Sequence, residues 1–125
     1  MCFGCSDRNP IGLKLKFDLD GDICRTIFTA GDEHQGWSGY MHGGLIAALL
    51  DETMAWWLWL QGIPIMTAEM TTRYSLGVPV NEKLLVESWC EANKRERIFE
   101  MAAHIVLPDG KVAARAKAKF MKVDG

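Results

Sequence analysis

The sequence predicts an α+β fold in which a mainly antiparallel sheet of about six strands wraps one long apolar helix. Two observations carry this. From Leu45 to Leu60 the chain has neither Gly nor Pro and is rich in Ala and Leu, so it reads as one helix from about Gly43 to Leu60. Around it the order is strand, strand, helix and four strands, with no internal repeat, linker or low-complexity segment. All 125 residues are read as one domain. One helix cannot cover six strands on both faces, which predicts pairing with a second copy.

The elements follow in order. Residues 1–12 read as irregular, with Asn9, Pro10 and Gly12 as turn signals. Leu13, Leu15, Phe17 and Leu19 then alternate with Lys14, Lys16, Asp18 and Asp20, the pattern of a half-buried strand. The turn Asp20-Gly21-Asp22 leads into a second strand from Ile23 to Thr29, which makes a hairpin. Residues 31–42 form a Gly-rich loop carrying His34, Gln35, Trp37 and Tyr40, a binding lip beside the helix start.

After the helix, Gln61-Gly62 stops it and Pro64 prevents its return. A strand from about Met66 to Leu76 is expected to put Thr67, Glu69, Thr71, Arg73 and Ser75 on one face. Leu84–Glu91, Arg97–Leu107 and Lys111–Val123 complete a meander, the last two joined by the turn Pro108-Asp109-Gly110. The final strand sets Val112, Ala114, Ala116, Ala118 and Phe120 against Lys111, Arg115, Lys117 and Lys119. Its small inner residues let the helix approach closely.

The helix is apolar in nearly every direction, as a buried or membrane-spanning helix would be. A span needs about eighteen or more apolar residues in a row, and Asp51-Glu52-Thr53 cuts this run near its middle. Burial in a folded core is the expected state, with no membrane as partner. Adjacent helical side chains point about 100° apart, so Asp51 and Glu52 have different tasks. One of them in a low-dielectric cleft would have a raised pKa and serve as base or nucleophile; the other would face water or pair locally.

His42-Gly43-Gly44 lies at the helix start, where backbone N–H groups lack intrahelical partners and the dipole end is positive. Glycines there let a ligand oxygen reach the backbone, which suits a polarised carbonyl. Gly43 and Asp51 are separated by about 12 Å along the helix axis, too far for one carbonyl to touch both in the same chain. A shared site therefore needs the helix start of one subunit and the carboxylate of another.

The totals exclude several classes. With 14 basic and 16 acidic residues the net charge is −2, which gives no reason to expect nucleic acid as a partner. Cys2 and Cys5 form a CxxC without a second pair at zinc-finger spacing, so no metal is expected. The four cysteines, Cys2, Cys5, Cys24 and Cys90, have no signal peptide ahead of them, and unpaired cysteines suit a reducing cytoplasm.

Three stretches together, CFGCSDRNPIGLKL, HQGWSGYMHGGLIAALLDE and TAEMTTRYSLGVPV, resemble the hotdog-fold acyl-CoA thioesterases of the PaaI-like and 4-hydroxybenzoyl-CoA thioesterase group. The resemblance covers nearly the whole chain. It implies a hotdog fold, a homodimer or homotetramer, and hydrolysis of an acyl-CoA with no metal or redox cofactor. It selects Asp51 over Glu52 as the catalytic carboxylate, either a general base or a nucleophile. It assigns the polarising N–H to Gly43, and substrate contacts to His42, Gly44 and Thr67, the last as the hydroxyl that helps place water. The assisting amide of the family aligns near Gly36, one residue from Gln35, which is the candidate for that contact.

The acyl group is expected to be medium-chain or aryl; Met54, Trp56, Trp57 and Trp59 with Tyr40 and Met41 are the candidates to shape its pocket, although aromatic residues at helical spacing more often serve the core. The CoA phosphates would meet Arg73, Arg95, Arg97 or Lys119. Two alternatives follow from the same fold. A non-catalytic acyl-CoA-binding module would have no use for Asp51. A dehydratase would need a catalytic His, for which His42 and His104 are candidates; His104, mid-strand beside alanines, reads as a satisfied core residue.

Overall fold

The computed structural model describes residues 15–123. The Cys2–Cys5 pair, the turn signals at Asn9, Pro10 and Gly12, and the start of the first expected strand at Leu13 lie outside the described residues. The elements are β1 (Asp18–Asp20), β2 (Ile23–Thr29), a 3-10 turn (Asp32–His34), β3 (Gln35–Trp37), β4 (Tyr40–Met41), α1 (Gly43–Trp59), β5 (Ile65–Tyr74), β6 (Lys83–Lys94), β7 (Ile98–Val106) and β8 (Val112–Lys122). Six strands form one sheet in the order β1-β2-β6-β7-β8-β5, every neighbour antiparallel. The helix lies against β2, β5, β6, β7 and β8, which is the hotdog arrangement of a sheet around one helix.

Helix α1 is as apolar as its sequence, and no residue from Leu45 to Trp59 is exposed. Its deepest stripe is Ile46, Leu49, Leu50, Thr53, Met54 and Leu58, a spacing of three and four residues that keeps them on one face. That stripe meets Phe28, Leu84, Val86, Met101, Ile105 and Phe120 from the inner face of the sheet. Truncating a fully buried leucine such as Leu49 to Ala would cost about 2–5 kcal/mol. Ala114, Ala116 and Ala118 line the inner face of β8, where their small side chains admit the helix. At the helix end the chain turns at Gly62, whose φ of 77° is the left-handed conformation that glycine accepts without strain.

Four expectations are corrected in detail. The alternation around Leu15 and Phe17 does point inward, but among the described residues its ladder pairing is confined to Asp18–Asp20, and Leu19 at the hairpin tip is exposed beyond the reach of the core. The loop at 31–42 contains its own two-stranded hairpin, β3 with β4, hidden from sequence by its glycines. Strand β8 has a bulge near its start that buries both Ala113 and Ala114. Strand β5 has another between Thr67 and Glu69, and it matters most.

Thr67 stands opposite the buried Phe120, whereas Glu69 stands opposite the exposed Lys119. Directly opposed residues in an antiparallel pair share a face. Thr67 therefore faces the helix, while Glu69, Thr71 and Arg73 face outward. The extra residue at the bulge, Ala68, breaks the single polar face expected from sequence.

Candidate active site

Asp51 sits half-buried on α1, one helical step from the buried Leu50. From the inner face of β5 the Thr67 hydroxyl donates to Asp51 Oδ1 at 2.7 Å. Burial pushes the Asp51 carboxyl above its ordinary range, and the Thr67 bond, which favours the charged form, offsets part of that shift. Glu52 is also half-buried but points about 100° away around the helix.

The helix start is built by two histidines. His42 is the N-cap in extended conformation, and its Nδ1 accepts from Gly44 N–H at 2.9 Å. That acceptor role requires the neutral ring with its proton on Nε2. The N–H of His42 in turn donates to the carbonyl of His34 at 2.8 Å. His34 is buried against Phe28 and accepts the Gly31 N–H through its own Nδ1 at 3.0 Å. The lip is thus anchored in the core through His34, a structural role that the sequence did not distinguish.

The glycines of this region do different work. A Cβ at Gly36 would lie 2.9 Å from His42 Cα, so this position has no room for a side chain. Gln35 turns to the lip itself, its Oε1 accepting from Gly39 N–H at 2.7 Å. A Cβ at Gly43 would meet only the Tyr74 ring, at an ordinary 3.9 Å. Packing within the chain therefore does not demand glycine at 43. In the first turn its N–H has no intrahelical acceptor, whereas that of Gly44 is taken by His42.

Tyr74, on the inner face of β5, donates its hydroxyl to the Gly43 carbonyl at 3.0 Å. Sequence reading did not single it out. The signal available was an aromatic hydroxyl in the alternation Met70, Thr72, Tyr74, which the bulge turns toward the helix. Strand β5 thus holds α1 at two places, Asp51 through Thr67 and Gly43 through Tyr74.

Beside Gly43 opens a groove of about 380 Å³ lined by Tyr40, Met41, Ile46, Tyr74, Leu76 and Val78. The Tyr40 ring lies across Gly77, where an added Cβ would come within 2.6 Å of it. Of the aromatic and Met residues expected to shape an acyl pocket, Tyr40 and Met41 line this groove. Met54 is fully buried, Trp56 stacks on Phe17 at 5.6 Å, and Trp57 Nε1 donates to the Asp22 carbonyl at 2.8 Å. These three serve the core and the β1–β2 hairpin.

His104 is satisfied but is not a core residue. It is half-buried on the outer face of the sheet, 2.9 Å from Glu87 Oε1 through Nε2 and edge-on to Trp89. Its neighbours Ala103 and Ile105 take the inward positions, so alternation sends it out. Among the described residues no group of three or more His, Cys, Asp or Glu is placed to hold a metal, and no helix is long and apolar enough to cross a membrane.

A sequence profile of the Thioesterase superfamily matches residues 38–114, which contain the helix start, Asp51 and Thr67. The chain is 28% identical over 98 residues to the acyl-coenzyme A thioesterase THEM4 of Rattus norvegicus, covering 78% of this chain and 42% of that protein. It is 29% identical to the Xenopus laevis protein of the same name, covering 78% and 44%. The chain thus spans less than half the length of these curated relatives. Among solved structures, a thioesterase superfamily protein superposes with a TM-score of 0.83 at 27% identity, over 90% of this chain and 58% of the other. The E. coli PaaI protein from the phenylacetic acid degradation operon gives 0.82 at 17% identity, over 90% and 82%. A Streptococcus pneumoniae hypothetical thioesterase with coenzyme A gives 0.81 at 14% identity, over 87% and 88%.

Proposed function

The chain belongs to the thioesterase superfamily, and from that premise we propose that it hydrolyses acyl-CoA thioesters to a free acid and CoA. The observation that carries this is the half-buried Asp51, set on an apolar helix and held by the Thr67 hydroxyl at 2.7 Å. A carboxylate in that setting is a stronger base than one in water.

In the proposed mechanism the thioester carbonyl lies at the helix start and its oxygen accepts from Gly43 N–H. The positive end of α1 stabilises the charge that develops there. Asp51 of a second copy then acts in one of two ways. As general base it takes a proton from water while the water oxygen attacks the carbonyl carbon; collapse of the tetrahedral intermediate breaks the C–S bond, and CoA leaves as thiolate to be protonated. As nucleophile it attacks the carbon itself, expels CoA thiolate and forms an anhydride that water opens.

The remaining site residues have supporting tasks in this reading. Thr67 orients Asp51 and the attacking water. His42 and Gly44 frame the backbone that presents the Gly43 N–H, and Gln35 holds the lip closed over the substrate. The space around Gly43 supports the assignment, since a glycine not required by packing leaves its N–H open to a ligand. The apolar groove between Tyr40 and Tyr74 suits a medium-chain or aryl acyl group.

A homodimer or homotetramer follows from the separation of Gly43 and Asp51 along α1. Strand β5 is an edge of the sheet whose unpaired backbone groups offer a template for a second copy. The free thiols of Cys24 and Cys90 favour a reducing compartment, the cytoplasm.

The test is free-thiol release from short, medium, long and aryl acyl-CoAs by the native chain and by Asp51→Asn. Turnover by the native protein and a loss of at least about a hundredfold in the variant, about 2.7 kcal/mol of transition-state stabilisation, supports the reading. Acyl-CoA binding without thiol release would replace it with a non-catalytic binding module.

A further inference from the structure

On the outer face of the sheet one row of side chains crosses all six strands. Its members are Asp18, Arg25, Glu87, His104, Arg115 and Arg73, each directly opposite the next. Directly opposed residues share a face and interact, favourably when their charges differ and unfavourably when they match. The first part of the row is ion-paired. Arg25 reaches Asp20 at 2.8 Å and Glu87 at 3.1 Å, and Glu87 reaches His104 at 2.9 Å.

The other end is not satisfied. Arg73 and Arg115 face each other on β5 and β8, and neither makes an ion pair among the described residues. Two other cations on this face have acids beside them: Lys117 reaches Glu91 at 2.9 Å, and Lys119 stands opposite both Glu69 and Glu100. Two facing guanidinium groups are a standing repulsion unless an anion lies between them. Their planar donor forks match phosphate oxygens.

Their position relates them to the groove. Arg73 directly precedes Tyr74, whose hydroxyl holds the Gly43 carbonyl, and the groove wall continues through Ser75 to Val78. The cations therefore lie at the end of β5 where the groove begins. Arg95 and Arg97 belong to the opposite end, since the carbonyl of Arg97 accepts from Lys122 N–H and Lys122 stands opposite Ile65.

We propose that Arg73 and Arg115 together form the phosphate-binding site for the nucleotide end of CoA. This rests on the acyl-CoA reading above and deepens it. The thioester would sit at Gly43, and the pantetheine arm would leave past Ser75 to the outer face.

The test is calorimetric titration of the full chain with CoA and with pantetheine, which carries the same thiol arm without the nucleotide. The native chain is expected to bind CoA at least tenfold more tightly than pantetheine, with a preference that weakens as salt rises. In the double variant Arg73→Gln, Arg115→Gln that preference falls at least tenfold. Thermal melting, which relief of the repulsion leaves level or raises, shows that the fold is intact. An unchanged preference for CoA overturns the proposal. So does a double variant that binds CoA as the native chain does but elutes as a smaller species on gel filtration, because the anion would then be a carboxylate of a second copy. If native chain and variant differ as expected while no acyl-CoA releases thiol, this site stands and the hydrolytic reading falls.

Discussion

The hydroxyl of Thr67 reaches from strand β5 to Asp51 Oδ1 on the helix, at 2.7 Å. It opposes what burial does to that carboxyl. Burial favours the protonated acid, and the bond to Thr67 favours the carboxylate. Removing the donor in Thr67→Ala should leave burial unopposed and push the Asp51 carboxyl further up. The acidic limb of the pH–rate profile should then move to higher pH, with the largest loss of kcat/KM at acid pH. Thr67→Ser, which keeps the hydroxyl, should restore the limb; a profile in Thr67→Ala identical to native would remove Thr67 from the chemistry.

The same carboxyl makes a prediction about stability. Its folded pKa is raised, so between the unfolded value, about 3.9, and the higher folded value the folded chain holds more protons than the unfolded one. Stability contributed by this group is present at low pH and is lost as pH rises through that window. Asp51→Asn, whose amide oxygen can still accept from Thr67, should therefore melt at a higher temperature than native at pH 7. The gap should close as pH falls below the ordinary aspartate range. Melting curves across pH that keep the two proteins in step would refute the burial argument.

Tyr74→Phe removes one oxygen atom and with it the bond to the Gly43 carbonyl. A hydrogen bond of this kind is worth about 1 kcal/mol, so kcat should fall about fivefold while KM changes little. Steady-state kinetics on one good acyl-CoA would decide it; a rise in KM alone would assign Tyr74 to binding.

Two glycine replacements should fail in opposite ways. Gly36→Ala drives a Cβ against His42 Cα at 2.9 Å, which no side-chain rotation relieves, and should destabilise the fold by about 1–3 kcal/mol. Gly43→Ala has room for its Cβ and gains helix propensity, so its stability should hold or rise while thiol release drops. Denaturant melts paired with thiol assays on both variants separate the two effects.

The long elements were legible because their signals are redundant. Strand β2 runs from Ile23 to Thr29 and α1 starts at Gly43, as the Asp20-Gly21-Asp22 turn and the breaker-free run indicated. The faces of β5 were harder to read. Polar residues occur in both phases around Ala68, so no alternation marks the register shift. The β3–β4 hairpin was concealed by three glycines in nine residues of chain, a composition that suits any loop. In the site, Asp51 stood out as a charge in an apolar run, whereas the partners of His42 and Tyr74 are backbone atoms that no motif encodes.

The bulge at Ala68 acts on β5 as a frameshift acts on a message. Ahead of it the odd-numbered Thr67 reads toward the helix, and behind it the even-numbered Met70, Thr72 and Tyr74 do. Excising Ala68 would leave every later residue in phase. Ironing the bulge flat with all residues kept would exchange Arg73 and Tyr74 between the two faces of the sheet. One small side chain thereby decides that an aromatic hydroxyl faces the helix start and a guanidinium faces the outer surface.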